Sequence, residues 1–476
     1  MQLARREFLG GGAALLAGIA ATRPSPAVAA TCRGCPRVRF GVLTDTHIGT
    51  EWMMGINSAA CEKALRDFKS QGVDAVAVLG DIANNGKIGQ LEEFARIWNE
   101  VFPGGTGENG KKVEKLFIAG NHDVASWRKY EEQDPEVYIA PTIGKVWERC
   151  FNEPYVPVWR KEINGFQFVG MNWGFYPKGV KEPVYSREKL APVLAEAYRL
   201  TPAGQPVFHF RHAPPAGTCW GSGKGAFGTA EALYGEDERL MVFTGHLHTP
   251  ISHPGSIWQG DYTVVNAGAV TWTCFPGSPY PKHLLSGAVY AKCQETVSVY
   301  DGEVVIGRKS IWDGEKMGCD WVIPLPLKKE NFPYVASKIA AKAVAPRFPS
   351  GAKVAANMAM GENVLQKMRL SFDAAQGNGG VSLSFPSAQI DSESDMVMCY
   401  EVSAIGTRNG ETIANEKFFT EFYRGPGYIS GRCEHLFAAE LLKPGEPCRF
   451  EVRAVDFFGM KSEAICSDEF TYRRFL

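Results

Sequence analysis

At 476 residues, 45% of them hydrophobic and 22% charged, the chain is long enough for two or three domains and has the composition of a globular protein with sizeable cores. A formal net charge of −1, with Lys and Arg scattered rather than grouped, leaves no nucleic-acid footprint. No apolar run reaches the ~18 residues that a membrane span takes.

The N-terminus reads as an export signal. Arg5-Arg6-Glu7-Phe8-Leu9 is a basic start, Gly11 to Ala21 is a short, weakly apolar stretch, and Ala27-Val28-Ala29 is a small-x-small cleavage site. Paired arginines before Phe-Leu resemble a twin-arginine signal, with Ala4 and Gly10 departing from the usual pattern. That resemblance implies a signal peptide over residues 1–29 and export, already folded, to the periplasm, the cell surface or the medium. All 12 cysteines follow the cleavage site, and an even count in an exported chain reads first as disulfides. Cys32-x-x-Cys35 reads as a small structural loop or disulfide.

In chain order, Arg37 to Thr44 is a strand that ends in Asp45-Thr46-His47. Asn57 to Gln71 has helical spacing, with Gly72 as its stop. Asp74 to Leu79 is a buried strand ending in Gly80-Asp81, and Gln90 to Val101 is a helix with Leu91, Phe94, Ile97, Trp98 and Val101 near one face. Val113 to Ala119 is a strand ending in Gly120-Asn121-His122-Asp123. Ile163 to Asn172 reads as a hairpin and Ser186 to Leu200 as a helix. Pro206 to His212 and Leu240 to Thr244 are further strands, the second ending in Gly245-His246-Leu247-His248. Tyr262 to Ile311 alternates as short strands suited to antiparallel additions. Strands alternating with helices, their polar residues at one end, predict a parallel βαβ arrangement, and ligands bind at that end of such sheets.

Composition shifts at Ile323-Pro324-Leu325-Pro326. Residues 323–366 read as a linker with a helical piece. Residues 367–476 alternate apolar with polar at Met368–Phe372, Val381–Phe385, Met398–Val402 and Phe450–Val455, the pattern of a small β-sandwich. Arg449 to Gly459 resembles the late strand and turn of fibronectin type III domains. Such a domain would dock on its neighbour, bind a cell-surface polymer or act as a spacer.

Five blocks thus end strands: Asp45-x-His47, Gly80-Asp81, Gly120-Asn121-His122-Asp123, His212 and Gly245-His246-x-His248. Carboxylate, amide oxygen and imidazole together suit divalent metals. Two His at i and i+2 of an extended segment point different ways and suit two metals better than one. The ordered set resembles the calcineurin-like metallophosphoesterase superfamily over Val38 to Arg308.

That resemblance implies a four-layer αββα sandwich over residues 37–322, within an α/β fold class, followed by the all-β domain. It implies Asp45, His47 and His248 on a first metal, Asn121, His212 and His246 on a second, and Asp81 bridging them. His122 would not ligate but would donate a hydrogen bond or proton to the phosphate or leaving oxygen, held by Asp123. Two divalent or mixed-valence ions (Mn, Fe or Zn) would activate a water and clamp a phosphate-ester substrate. Purple acid phosphatases carry a Tyr three residues after this Asp. Asn84 stands there and argues against an iron–tyrosinate site. Gly80-Asp81-x-x-Asn84-x-Gly86 resembles phosphodiesterase members and puts diesters ahead of monoesters. The rivals are a protein or sugar phosphatase, and a binding or adhesion protein on an inactive phosphoesterase fold.

Among other side chains, His209 is expected to be packed in its sheet, and His253, His283 and His435 to lie in surface loops. Arg211 reads as a strand-end surface salt bridge. Trp127, Trp173, Phe175, Tyr176, Trp220 and Trp272 fall in loops near the strand ends, where packing outweighs stacking on a substrate ring.

Overall fold

The computed structural model describes residues 33–49, 55–124, 133–173, 187–223, 234–274, 291–359, 380–392 and 395–473. The signal peptide, Cys32, Trp127, Phe175, Tyr176, His283 and the strand expected over Met368–Phe372 lie outside them. Pro36–Leu476 forms one compact unit.

Its first sheet is built on three parallel strands, β1 (Val38–Leu43), β2 (Ala75–Leu79) and β3 (Glu114–Ile118). β10 (Cys293–Val299), β11 (Glu303–Ser310) and β12 (Trp321–Pro324) extend it antiparallel, in the order β12-β11-β10-β1-β2-β3. The second sheet runs β4-β5-β6-β7-β9-β8. β4 (Val158–Ile163) and β5 (Phe166–Met171) form a hairpin. It turns at Asn164 and Gly165, both at positive φ, as an Asn-Gly hairpin requires. β6 (Val207–Arg211), β7 (Leu240–Thr244) and β9 (Thr263–Asn266) continue parallel, and β8 (Ile257–Gln259) closes the edge antiparallel to β9. β9 therefore meets the antiparallel expectation on its β8 side and departs from it on the other, where it lies parallel to β7.

Alternation along the strands divides their side chains between two faces. Val38, Phe40, Val42, Ala75, Ala77 and Leu79 pack against Phe168, Phe208, Phe210 and Phe243 between the sheets. Phe40 stands edge-on to those four rings, at centroid distances of 5.4, 5.0, 6.0 and 5.8 Å. Val76, Val78 and Phe117 face outward to α1 (Ile56–Ser70), α2 (Ile88–Val101) and α3 (Ile143–Phe151). On the far side, Val169, Val207, Leu240 and Val242 pack against α4 (Arg187–Leu200). The result is the four-layer αββα sandwich.

Ile323, Leu327 and Phe332 also sit in the inter-sheet core. The first part of the expected linker is therefore part of the α/β sandwich, since those side chains bury against it. A short helix, α5 (Ala336–Ala340), follows. β13 (Ala355–Ala359), also inside the expected linker, pairs with β14 (Gly380–Pro386). β14 in turn pairs with β17 (Arg432–Ala438). β15 (Val397–Gly406), β16 (Thr412–Phe419), β18 (Pro447–Asp456), β19 (Ile465–Cys466) and β20 (Phe470–Thr471) make the facing sheet. Val381, Leu383, Phe385, Tyr400, Val402, Phe437, Phe450 and Val452 form the core between the two.

This all-β part docks on the α/β part. Phe422 and Tyr423 bury beside Ala291, Trp220 and Phe457, and Trp220 stacks on His253 at 3.9 Å. His253, expected on the surface, is buried with Phe457 edge-on at 4.5 Å. The docked sandwich covers a loop that would otherwise be open. His435 stacks on Phe418 and pairs with Glu416. No described helix is long and apolar enough to cross a membrane.

All eleven described cysteines are free, so the disulfide expectation is not met among the described residues. Cys61, Cys219 and Cys293 are buried individually, and burial pushes the thiols of Cys61 and Cys293 up to about 12. They behave as small apolar residues with weak S–H donors.

Glu295 of β10 is fully buried, with no hydrogen-bond partner for either oxygen. Burial raises its pKa from 4.5 to about 8, and Arg308 opposes that only partly. The group is thus neutral in the folded state from pH 4.5 to about 8, where the unfolded chain is ionised. Its contribution is fully present below pH 4.5 and falls by about 1.4 kcal/mol per pH unit until pH 8. Glu295→Gln is expected to flatten that fall. Melting of both proteins at pH 5 and pH 9 should show the variant gaining Tm relative to wild type at the higher pH alone.

Candidate metal centre

The loops after β1, β2, β3, β6 and β7 meet at one edge. Backbone bonds zip the first two together: Asp45 N to Gly80 O (3.1 Å), His47 N to Asp81 O (3.0 Å) and Ile48 N to Ile82 O (2.9 Å). Such close approach needs glycine. A Cβ on Gly80 would meet Gly120 N at 2.6 Å, and one on Gly245 would overlap Thr44 Oγ1 and Asp45 Oδ2. Five of the seven described non-glycine residues at positive φ are here: Asp45 (52°), His47 (42°), Asp81 (53°), His246 (68°) and His248 (53°). Left-handed backbone costs such residues about 1–3 kcal/mol each and persists only where the surroundings enforce it.

Three groups of donors result, each with its atoms within 4.8 Å: Asp45, His47 and His248; His47, Asp81 and His122; and Asp81, His212 and His246. Asp45 Oδ2 accepts from Thr44 Oγ1 (2.7 Å) and His246 N (2.8 Å). Its Oδ1, left without a hydrogen bond, lies 3.1 Å from His248 Nε2 and 3.8 Å from His47 Nε2. Asp81 Oδ1 accepts from His122 N (2.7 Å). Its Oδ2 lies 3.1 Å from His212 Nε2 and 3.6 Å from His47 Nε2, between the two outer groups. Asn121 Oδ1 is a second buried acceptor with no hydrogen-bond partner.

The rings are oriented from behind. His248 Nδ1 donates to Trp272 O (3.0 Å), His212 Nδ1 to Leu79 O (2.7 Å) and His47 Nδ1 to Asn84 Oδ1 (3.0 Å). A carbonyl accepts only, so each Nδ1 carries a proton and each Nε2 is the nitrogen turned to the centre. Those Nε2 atoms face one another, at 3.3 Å between His47 and His248, and they face the carboxylate oxygens. Imidazoles and carboxylates converging in a buried space are the donors that divalent cations take. The donor set therefore fits two metal ions. Burial alone would raise Asp45, but His248 and His212 hold it well below the usual carboxylate range. Burial lowers His212, yet Asp81 and Asp45 raise it to about 9. Burial draws His246 down to about 4 despite both carboxylates.

His122 stands at the open side, its side chain 27% exposed and its Nε2 4.0 Å from Asp81 Oδ2. Its Nδ1 donates to Asn84 O at 2.7 Å. Asp123 does not hold the ring, which corrects that expectation. Its fully buried carboxylate accepts instead from Ala83 N and Gly120 N, both at 2.7 Å. A short side chain one residue on from His122 reaches the backbone of its own turn before it can reach the imidazole. Burial, then Asp81, pushes Asp123 up to about 7.

Sequence reasoning missed the double role of Asn84, whose side chain sets His47 and whose carbonyl sets His122. A turn former three residues after Asp81 was the available signal. His209 packs in its sheet between Val169 O and Tyr234 Oη. Arg211, expected on the surface, is fully buried and donates to Tyr234 Oη at 3.1 Å, because its strand lies inside the second sheet. Trp272 packs against His47 and His248, and Trp173 against His246 and His212. Both rings thus wall the centre.

Residues 38–250 match the family described as calcineurin-like phosphoesterase. No curated protein matches it. Among solved structures, it is similar to a dimetal phosphatase from Danio rerio, at 12% identity and a TM-score of 0.39 over 61% of this chain and 99% of that one. A purple acid phosphatase from yellow lupin seeds is similar at 15% identity and a TM-score of 0.41, over 61% and 55% of the two chains. An anchor of the inner membrane complex of Plasmodium is similar at 13% identity and a TM-score of 0.32, over 62% and 90%.

Proposed function

We propose that the protein is an exported, dinuclear metal-dependent phosphoesterase that favours phosphodiesters over phosphomonoesters. The observation that carries this is the convergence of imidazole Nε2 atoms on the unpartnered oxygen of Asp45 and on Asp81. Asp45, His47 and His248 would hold one ion, Asn121, His212 and His246 the other, and Asp81 both. When bound, a pair of Mn, Fe or Zn ions neutralises the ester and supplies a nucleophile from water at neutral pH.

The chain's own residues do the rest. His122 presents Nε2 to the ester, because its Nδ1 is committed to Asn84 O. Burial lowers this histidine to about 4. An anionic ester opposite Nε2 offsets that and favours the charged ring, which then protonates the leaving oxygen. Trp173 and Trp272 keep water from the ligand rings. Asp123 fixes the two loops that carry Asp81 and Asn121 against each other.

Export by the twin-arginine route accounts for Arg5-Arg6-Glu7-Phe8-Leu9 and lets the metals load before transit. The α/β sandwich is taken to run from Arg37 to Tyr334, and a fibronectin type III-like domain to follow from β13. Metal analysis combined with hydrolysis of p-nitrophenyl phosphate and its bis ester tests this. Turnover of both, faster on the bis ester, is expected. A metal-replete sample that turns over neither ester would favour a binding protein, and preference for the monoester a phosphatase.

A further inference from the structure

We propose that Lys292 is a positioning residue for the metal centre, acting through Asn57; this rests on the dinuclear reading above. Lys292 is fully buried. Its ammonium donates to Asn57 Oδ1 (2.7 Å), Val270 O (2.8 Å) and Thr271 O (2.5 Å), which uses all three of its protons. Asn57, in the first turn of α1 and likewise buried, donates from Nδ2 to His47 O (3.1 Å) and Thr271 Oγ1 (3.0 Å). One buried cation thus ties together two backbone segments.

Both segments carry the centre. The first, Thr44 to His47, bears Asp45 and His47 in left-handed backbone. The second, Val270 to Thr273, donates Val270 N to Thr44 O and Thr271 N to Asp45 O, and its Trp272 carbonyl orients His248. Strained backbone holds its geometry only where neighbours over-determine it. A buried lysine is costly unless its charge is met by acceptors. Here every acceptor is a backbone or amide oxygen of the segments that brace the loop of Asp45 and His47, so the cost is tied to the geometry of the first metal's donors. Neither residue contacts substrate or metal on this account.

The test is Mn²⁺ titration of the metal-stripped full chain, followed by the signal of free Mn²⁺, beside melting of the same apo-proteins. Lys292→Met and Asn57→Ala are each expected to weaken Mn²⁺ binding by about 10–100-fold, the range for partners behind the ligands. Val381→Ala, in the sandwich core, should lower Tm and leave Mn²⁺ binding unchanged. Should Lys292→Met fail to fold, Asn57→Ala decides alone. Wild-type affinity in the folded variants, or a loss no greater than that of Val381→Ala, overturns the proposal. A wild-type chain that binds neither Mn²⁺ nor, in the same titration, Fe²⁺ or Zn²⁺ sinks the dinuclear reading itself.

Discussion

Asp81→Asn is expected to fold, to lose both metals and to reduce phosphoester hydrolysis to background. An amide keeps the acceptor that His122 N uses at 2.7 Å, so that backbone bond survives and the loop stays in place. What changes is the atom facing His212 and His47, where the carboxylate oxygen sits 3.1 and 3.6 Å away. An NH₂ there presents protons to the centre and removes a charge that both sites share. Changes behind metal ligands cost about 10–100-fold in affinity, and a bridging position should exceed the upper end of that range. Metal content per chain by elemental analysis, with hydrolysis of p-nitrophenyl phosphate, reads both effects. A variant that keeps two ions would remove Asp81 from its bridging role.

His122→Ala separates chemistry from metal binding. The ring stands on the open side with Nε2 4.0 Å from Asp81 Oδ2, so both ions should remain. Loss of a general acid slows a reaction by about 10²–10⁴-fold. The size of that loss should follow the leaving group. Phenyl phosphate, whose phenolate needs a proton, should lose more than p-nitrophenyl phosphate, whose leaving anion is stable without one. Equal losses on the two esters would point to phosphate binding rather than proton transfer, and loss of metal would make His122 a ligand.

Much of the architecture was legible because burial on both faces of a parallel sheet leaves a continuous apolar run that stops abruptly at polar residues. β1, β2, β3, β6 and β7 all read that way, and each delivers part of the centre from its end. The alternation of β14, β15 and β18 was likewise readable. α3 was not foreseen, and β13 was hidden in a stretch rich in Ala. The packing of Leu327 and Phe332 between the sheets depends on contacts distant in sequence, which local pattern does not carry. The same limit applies at the site. Residue types and order named the donors. Which oxygen orients which ring depends on how two turns lie against each other, so the part Asn84 plays was not foreseen and Asp123 was taken for a partner of His122. Arg211 and His253 were misplaced for a related reason. A charged or polar residue at a strand end looks exposed until the covering element, here Tyr234 or Phe457, is known.

The most direct test is a crystal structure of the metal-loaded protein with an anomalous difference map. Two peaks about 3.5–4 Å apart are expected, one among Asp45, His47 and His248, the other among Asn121, His212 and His246, with Asp81 Oδ2 between them. A single peak, or none, at fully folded Asp45 and Asp81 would contradict the account.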